Sequence, residues 1–255
     1  MRMNATDLSE RQRDILRLLE QSGFATIEDL AGRFGVTTQT IRRDVNDLRD
    51  RALLMRVHRG VRPHEGARPY ASRAVEQQRE KAALAREVLR LIPAGASVSI
   101  GLGSTPAEVA RLLAHAGGRD VITNNLVAAS HLWDAEDITL SICGGAVRDR
   151  SVSGSAAAEF FAAYRVDFAI FGVAGVDDDG ALLDFRTEEA RARAAMQTHA
   201  RQSVLVLDQV KFQRRAPARG GWLHDPDYVV TNAPPPKALA AGLCAGALVL
   251  ISEAP

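Results

Sequence analysis

Two adjacent arginines, Arg42 and Arg43, lie in a stretch whose polar side chains suit contact with DNA. Arginine can bind guanine through two hydrogen bonds, and glutamine or asparagine can pair with adenine. Threonines at the start of a helix suit phosphate contacts, because the first N–H groups of a helix are free. We therefore predict a DNA-reading helix. Its candidate contacts are Thr37, Thr38, Gln39, Thr40, Arg42, Arg43 and Asn46.

A second set of residues consists of glycines, hydroxyls, amides and charges that follow candidate strands. Small residues let backbone N–H groups reach an anion, and a lysine can meet a phosphate as a point charge. The set predicts a pocket for a small phosphorylated sugar or polyol. Its candidate contacts are Gly101, Gly103, Ser104, Thr105, Asn124, Asn125, Gly144, Gly145, Gly175, Asp184, Glu188 and Lys211.

Each of these signals also has a structural interpretation. An arginine pair can simply solvate a helix surface, and a glycine-rich turn from strand to helix can be purely structural. Lys211 taken alone would be interpreted as a surface lysine. Its position after Asp208, at the end of a predicted strand, favours a role in anion binding instead. In the glycine-rich turn we expect Thr105 to cap a helix, Pro106 to take its first position and Glu108 to complete a capping box.

The DNA-reading helix needs a small helical unit to hold it. Ser9 with Gln12, and Thr26 with Asp29, have the spacing of capping boxes. Gly35 permits a tight turn, after which we expect Thr37 to cap the third helix. Its predicted buried stripe is Ile41, Val45 and Leu48.

A short alternating segment from Leu53 to Val61 predicts the wing of a winged helix. It adds three candidate DNA contacts: Arg56, His58 and Arg59. Residues 42–62 contain seven arginines and three acids, although the whole chain has a net charge of only +1. This distribution suits a small DNA-reading module on a larger body. We expect Asp44 to brace an arginine or the helix, because a carboxylate opposes phosphate.

The rest of the chain alternates short β-type runs with helical runs, which predicts a mostly parallel sheet covered on both faces. Ligands of such sheets bind at the carboxyl ends of the strands. The strand candidates are 97–100, 121–123, 138–143, 168–173, 203–207, 228–231 and 247–251. The helix candidates are 73–91, 106–114, 126–133, 156–163 and 188–200.

The predicted fold class is therefore α/β, with an N-terminal winged helix-turn-helix domain and a C-terminal, mostly parallel α/β sensor domain. We place the DNA-binding domain at residues 1–62, a linker at 63–72 and the sensor domain at 73–255. Hydrophobic residues make up 46% of the chain and charged residues 25%, as is ordinary for a globular protein.

The same sequence gives little sign of other classes of protein. Cys143 and Cys244 follow no metal or redox spacing, so we expect reduced thiols in a cytoplasmic protein with no metal and no cofactor. We expect no signal peptide, because the N-terminus leads directly into a charged helical segment, and no apolar run in the sequence approaches the length needed to span a membrane.

The segments Thr40–Leu48 and Arg56–Gly60 resemble the signature of the DeoR family of bacterial transcriptional regulators. The resemblance extends over nearly the whole chain. It implies a repressor without catalytic residues, whose sensor domain is related in fold to ribose-5-phosphate isomerase. It also implies double-stranded operator DNA as a partner and a homodimer or homotetramer as the assembly.

Within that family, the chain is most similar to the branch that responds to glycerol-3-phosphate, which is therefore the implied effector. The matching stretches are 103–110, 121–126, 175–185 and 233–236. The chain departs from the family at Gly101, where an aspartate is usual, and at Arg59, where a glycine is usual. It also has Arg193-Ala194 where that branch has a Lys-Arg pair.

Two other functions compete with a repressor. A sugar-phosphate isomerase with an accessory DNA module could use acid–base groups from Asp184, Glu188, Asp208 and Lys211. A winged helix that binds a protein partner is the other alternative.

Overall fold

The computed structural model describes residues 8–22, 25–50, 53–57, 60–63, 70, 73, 77–212, 214–243 and 248–251. The chain divides into two compact units, Met1–Arg68 and Pro69–Pro255. The bounds predicted from the sequence for the two domains and the linker stay a prediction.

The N-terminal unit has three helices and a two-stranded hairpin. These elements are α1 (Glu10–Ser22), α2 (Ile27–Phe34), α3 (Thr38–Asp50), β1 (Leu54–Val57) and β2 (Gly60–Pro63). The two strands pair antiparallel, and Ala25 exchanges two backbone hydrogen bonds with Val61 of β2. The hairpin is thereby joined to the segment before α2, so the predicted winged helix-turn-helix fold is confirmed.

The caps, the turn and the buried stripe predicted for this unit are present in the structure. Both predicted capping boxes form, one between Ser9 and Gln12 and the other between Thr26 and Asp29. Gly35 ends α2 with a φ of 62°, in the left-handed region that glycine tolerates. The core includes the whole predicted stripe of α3, since Ile41, Val45 and Leu48 are fully buried.

The C-terminal unit alternates strands and helices, as predicted. Its helices are α4 (Gln78–Leu91), α5 (Ser104–Leu113), α6 (Leu126–Leu132), α7 (Ser155–Ala162), α8 (Thr187–Thr198) and α9 (Lys237–Leu243). Its strands are β3 (Val98–Ile100), β4 (Arg119–Thr123), β5 (Ile138–Ile142), β6 (Val147–Arg148), β7 (Ser151–Val152), β8 (Val166–Phe171), β9 (Gly175–Val176), β10 (Ala181–Asp184), β11 (Ala200–Leu207), β12 (Ala218–Trp222), β13 (Tyr228–Thr231) and β14 (Leu248–Ile251).

A parallel seven-stranded sheet forms the centre of this unit, in the order β14-β13-β11-β8-β3-β4-β5. Alternate residues of a strand point to opposite faces. In β8, Ile170 therefore joins the core under α4, α5 and α6, while Phe171 joins a second core with residues of α7, α8 and α9. Helices on both faces confirm the predicted α/β class.

Two smaller sheets accompany the main one. The strands β12, β10 and β9 pair antiparallel, and β6 pairs with β7 in a hairpin. The hairpin folds over the end of β4, because Val152 donates its N–H to the carbonyl of Asn124 at 2.9 Å and Leu126 donates to that of Arg150 at 3.0 Å. It thus covers part of the carboxyl edge of the main sheet.

Two predicted helix starts are wrong. The helix expected over 73–91 begins only at Gln78, because Gln77 has a φ of 51° and cannot continue a right-handed helix. The helix expected from Pro106 begins at Ser104, capped by Gly103 with a φ of 119°. Thr105 is therefore inside the first turn, and Glu108 forms an ion pair with Arg111 at 2.6 Å in place of a capping box.

Gly175 has a steric role that the sequence does not reveal. A Cβ atom at this position would lie 1.9 Å from the carbonyl oxygen of Arg214. Val176 also forms a bridge with Phe212. The absence of a side chain at Gly175 thus allows the segment that carries Lys211 to pack directly on β9.

We predict that Gly175→Ala destabilises the protein by about 1–3 kcal/mol, because the new methyl group overlaps the backbone of Arg214. Gly144→Ala is the matched control, since a Cβ there has no heavy atom within 4 Å. Its effect should stay within about 0.5 kcal/mol. Urea unfolding measures both; equal stability of the two variants would contradict the packing described.

Candidate nucleic-acid and anion-binding sites

The exposed face of α3 carries the predicted DNA contacts. Gln39, Arg42 and Arg43 are exposed, and neither arginine forms an ion pair with another described residue. The nearby acids turn inward. Asp44 is buried and accepts from Arg11 of α1 at 2.6 Å, which confirms that it braces an arginine. Arg42 and Arg43 thus have no neutralising carboxylate in the described part of the chain, whereas Arg49 of the same helix pairs with Asp50 at 2.8 Å.

At the start of α3, Thr37 acts as the predicted cap: its hydroxyl accepts the N–H of Thr40 at 3.2 Å. The two hydroxyls are 3.0 Å apart, while Thr38 is exposed beside them. Asn46 is half-buried, and its Oδ1 has no hydrogen-bond partner in the described structure. Arg56 is exposed on β1, whereas His58 and Arg59 lie outside the described residues.

The loop from β3 to α5 has the features of an anion site. Gly103, Ser104 and Thr105 begin α5, where backbone N–H groups have no intrahelical carbonyl to bind. Ser104 is half-buried and Thr105 is buried. Within the described structure, neither hydroxyl has a hydrogen-bond partner. Free N–H groups and hydroxyls at the positive end of a helix favour a bound anion.

Asn125 holds this loop in place. Its side-chain oxygen caps α6 by accepting the N–H groups of Val127 and Ala128, at 3.1 and 3.2 Å. Its amide nitrogen donates to the carbonyls of Gly101 and Gly103, both at 3.0 Å. All the usual bonds of this amide are therefore used within the protein. Asn125 thus positions the loop before α5, while its predicted contact with a ligand stays a prediction.

The neighbouring Asn124 can accept a further hydrogen bond. Its Nδ2 donates to the carbonyl of Val152 at 2.8 Å, while its buried Oδ1 has no partner among the described residues. Gly144 and Gly145 follow β5 and are exposed. Gly145 has a φ of 144°, and a Cβ there would lie 2.9 Å from Val152. Gly145 thus permits close packing of the loop after β5 against the β6–β7 hairpin.

Lys211 lies after the end of β11, two strands from β3 in the sheet. It belongs to a short 3₁₀ turn capped by Asp208, whose Oδ1 accepts the N–H of Val210 at 3.1 Å. No hydrogen bond or ion pair joins the ammonium of Lys211 to another described residue. Burial, with the charge of Arg214 next in importance, lowers the pKa of Lys211 to about 8. Such an environment favours an added anion.

Two of the predicted ligand contacts, Asp184 and Gly175, interact with other parts of the protein. Asp184 is buried and accepts from Nη2 of Arg193 at 2.9 Å and from its Nε at 3.1 Å. Burial raises the pKa of Asp184, and the arginine opposes this shift. Gly175 lies against the backbone of Arg214. Both residues therefore have structural partners, and their predicted contact with an effector stays a prediction.

Glu188 and Gly101 differ from expectation in other ways. Glu188 is exposed in the first turn of α8 and accepts from the hydroxyl of Thr187 at 3.3 Å. The described contacts do not bring it to the anion loop. Gly101 is buried, and a Cβ there would lie 3.1 Å from the sulfur of Met196. A side chain at this position would therefore require Met196 to shift.

Three cations whose charges act on Lys211 were not predicted from the sequence. The charges of Arg214, Arg73 and Lys81 all contribute to the low pKa of Lys211. One signal for Lys81 was present, because it begins the stripe Lys81, Leu84, Ala85 and Val88, whose other members are buried apolar residues. A lysine in a buried stripe points to a special environment. No comparable spacing marks Arg73 or Arg214.

Searches of the described residues for other kinds of site gave none. They contain no group of three or more His, Cys, Asp or Glu side chains that could hold a metal ion. None of the described helices is both long enough and apolar enough to cross a membrane.

Comparison with known families identifies both units. Residues 11–65 match the DeoR-like helix-turn-helix domain, and residues 76–233 match the DeoR C terminal sensor domain. The chain belongs to the DeoR family. Its sequence resemblance to that family is thereby confirmed.

Curated members of the DeoR family align along most of the chain. The glycerol-3-phosphate regulon repressor of Escherichia coli K12 is 37% identical over 89% of this chain and 92% of its own length. That of Haemophilus influenzae is 39% identical over 89% and 90%. The HTH-type transcriptional repressor CsqR of Escherichia coli K12 is 32% identical over 94% and 95%.

Solved structures with a related fold include a D-ribose-5-phosphate isomerase in complex with phospho-erythronic acid. It is 19% identical over 52% of each chain, with a TM-score of 0.37. The same enzyme from Methanocaldococcus jannaschii is 20% identical over 52% of this chain and 53% of its own, with a TM-score of 0.39. We draw no functional argument from these two structures.

As a DeoR family member, the protein is a DNA-binding transcriptional repressor and not an enzyme. The two matched domains account for the separate units of the structure, one with a helix that exposes Arg42 and Arg43 and one with a parallel sheet. The isomerase alternative finds no support in these relatives, which are named as repressors.

We predict that Lys211→Met stabilises the ligand-free protein at pH 7 by about 1 kcal/mol, discounted because the side chain is half-buried. The pKa of Lys211 is lowered from 10.5 to about 8 on folding. Its charge therefore destabilises the folded state below pH 8, and this cost disappears as the pH rises from 8 towards 10.5. Thermal unfolding at pH 7 and pH 9.5 should show the advantage of the variant shrinking. An advantage that is absent at pH 7 would contradict the low pKa.

Proposed function

We propose that a small phosphorylated polyol, most simply glycerol-3-phosphate, releases this repressor from its operator. The observation that carries the proposal is the unpaired ammonium of Lys211, at the same sheet edge as the unsatisfied hydroxyls of Ser104 and Thr105. The relatives named for the glycerol-3-phosphate regulon favour this effector over other phosphates.

In this proposal the phosphate binds the N–H groups and hydroxyls at the start of α5, and Lys211 supplies the opposite charge. Gly101 and Gly103 contribute backbone to the loop that holds the phosphate, and the free Oδ1 of Asn124 accepts from a polyol hydroxyl. Asn125, Gly175 and Asp184 support the loops. Direct contacts with the ligand remain predictions from the sequence for Asn125, Gly144, Gly145, Gly175, Asp184 and Glu188.

For DNA recognition, we propose that α3 enters the major groove, with Arg42 and Arg43 reading bases. Thr37, Thr38, Gln39, Thr40 and Asn46 contribute contacts from the same helix, and Arg56, His58 and Arg59 contribute from the wing. A symmetric operator calls for a symmetric assembly, so we infer a homodimer or homotetramer acting in the cytoplasm.

Release from DNA follows from linkage. A ligand shifts an equilibrium only as far as its affinity differs between the two states. The effector must therefore bind the conformation that does not bind DNA more tightly than the one that does. Equal affinity for the two would leave repression unchanged at any effector concentration.

We expect Arg42→Ala or Arg43→Ala to weaken operator binding by about 1–3 kcal/mol if the arginine reads a base. Arg90→Ala is the control, because Arg90 is an exposed arginine of α4 that pairs with Glu87. Fluorescence anisotropy at fixed salt gives the affinities. If both α3 variants bind the operator as tightly as the Arg90 control, α3 is not the recognition helix.

Glycerol-3-phosphate should weaken operator binding at least tenfold, and Lys211→Ala should reduce that response. Glycerol is the matched ligand control, because it has the same hydroxyl framework without the phosphate. Anisotropy titrations of the protein–operator complex measure both responses. Release by another sugar phosphate alone would show that the effector is wrong, while release by glycerol would show that the phosphate site is wrong.

A further inference from the structure

The strand β5 lies at one end of the parallel sheet. Among the described strands it pairs only with β4, so its other side is an edge of the sheet. Its sequence, Ile-Thr-Leu-Ser-Ile, contains no charged residue and no proline. Natural edge strands often carry such residues, because the free N–H and C=O groups of an edge can pair with another chain. The edge at β5 lacks this protection.

The backbone groups that face this edge follow from the pairing of β5 with β4. The N–H of Cys143 donates to the carbonyl of Thr123, at the end of β4, at 2.9 Å. The N–H and C=O groups of successive residues in a strand point to alternate sides. Leu140 and Ile142 therefore direct their backbone groups away from β4, towards the edge.

Apolar side chains accompany the same edge. Six large apolar side chains are exposed among the described residues, and three of them precede, belong to or follow β5. Trp133 is 62% exposed before the strand, Ile142 is 42% exposed within it and Val147 is 59% exposed after it. Apolar surface of this kind is typical of a protein–protein contact, because its burial favours association.

Exposed charges at the two ends of β5 differ in sign. The carboxylates of Glu136 and Asp137 come directly before the strand, whereas Arg148 follows it on the β6–β7 hairpin. In an antiparallel pair of two copies, the acidic end of each strand lies towards the basic end of the other. Trp133 of one copy likewise lies towards Val147 of the other. A parallel pair would instead bring like charges together.

We propose that β5 is the surface through which two copies of this chain associate, as an antiparallel pair that continues the sheet from one copy into the other. The inference rests on the proposed function, because it identifies the interface of the symmetric assembly inferred there. Leu140 is the central residue of β5, so two-fold pairing places it opposite itself, where the two copies exchange two backbone hydrogen bonds. Ile138 of each copy then lies opposite Ile142 of the other.

The first test measures the mass of the full-length protein over a series of concentrations by sedimentation equilibrium. We expect Ile142→Lys to weaken association at least tenfold, because it places like charges on both sides of the pair. Val210→Lys is the matched control and should associate within twofold of the wild type. Val210 is also an exposed aliphatic residue, at 50%, but it follows β11, four strands from β5 in the sheet.

The second test examines the register by cross-linking. Residues that exchange both hydrogen bonds in an antiparallel pair have Cα atoms about 5.5 Å apart, a distance that a disulfide spans. Leu140→Cys should therefore form a linked dimer under mild oxidation, seen on a non-reducing gel. The wild type, which has Cys143 and Cys244, and Ala162→Cys, at an exposed position of α7, should stay unlinked. If Ile142→Lys does not fold, Leu140→Cys decides the outcome.

The results separate this surface from the proposed assembly. Dissociation of folded Ile142→Lys supports the surface, and cross-linking of Leu140→Cys supports the antiparallel register. If the wild type is a dimer or tetramer, but Ile142→Lys keeps its mass and Leu140→Cys stays unlinked, the copies meet elsewhere and the role of β5 is wrong. A wild type that is monomeric at every concentration contradicts both the surface and the assembly.

Discussion

The desolvated ammonium of Lys211, at the carboxyl edge of the parallel sheet, is the constraint on which this part of the C-terminal unit depends. Lys211 forms no ion pair with another described residue, and its side chain has lost much of the water that would otherwise solvate it. Burial of an unpaired charge destabilises the folded protein, and an anion bound beside Lys211 removes that destabilisation. Several contacts in the C-terminal unit hold the segment of Lys211 and the neighbouring loops in place.

That support comes from groups with no charge to offer the ligand. The missing side chain of Gly175 lets the segment carrying Lys211 lie against β9. Asn125 uses its whole amide to fix the loop before α5. The β6–β7 hairpin packs over the end of β4 and holds Arg73 through Asp149. Rigid supports of this kind position an anion site before its ligand arrives.

In the N-terminal unit, carboxylates bind within the protein while two arginines of α3 stay exposed. Asp44 and Asp47 could neutralise the arginines of α3, but they turn inward and bind Arg11 and Gln12 of α1. The acids stabilise the packing of α1 on α3, while Arg42 and Arg43 keep their charge on the exposed face. Both units therefore separate structural carboxylates from functional cations.

Local patterns predicted the secondary structure well because they express short-range rules. The strand predicted at Tyr228–Thr231 has the observed bounds, and Gly35 and Thr37 shape the turn before α3 as expected. The helix starts at Ser104 and Gln78 were missed, because they depend on left-handed or unusual backbone at Gly103 and Gln77. Propensity alone does not reveal such backbone conformations.

The composition of the anion site could be predicted only in part. Ser104 and Lys211 follow strands, so topology alone brings them to one edge. Asp184 follows a strand as well, but Arg193 captures it through a contact between distant parts of the chain. Lys81 is buried on α4, and only its place in an apolar stripe indicated this from the sequence. Long-range contacts therefore decided which polar residues remain open to a ligand.

The most direct test of this account is the pKa of Lys211 measured by NMR of isotopically labelled lysine ammonium groups, with and without saturating glycerol-3-phosphate. The account predicts a pKa of about 8 in the free protein. It also predicts a rise of at least one unit when the phosphate binds, because a nearby anion stabilises the protonated amine. A pKa near 10.5 in the free protein, unchanged by the ligand, would contradict it.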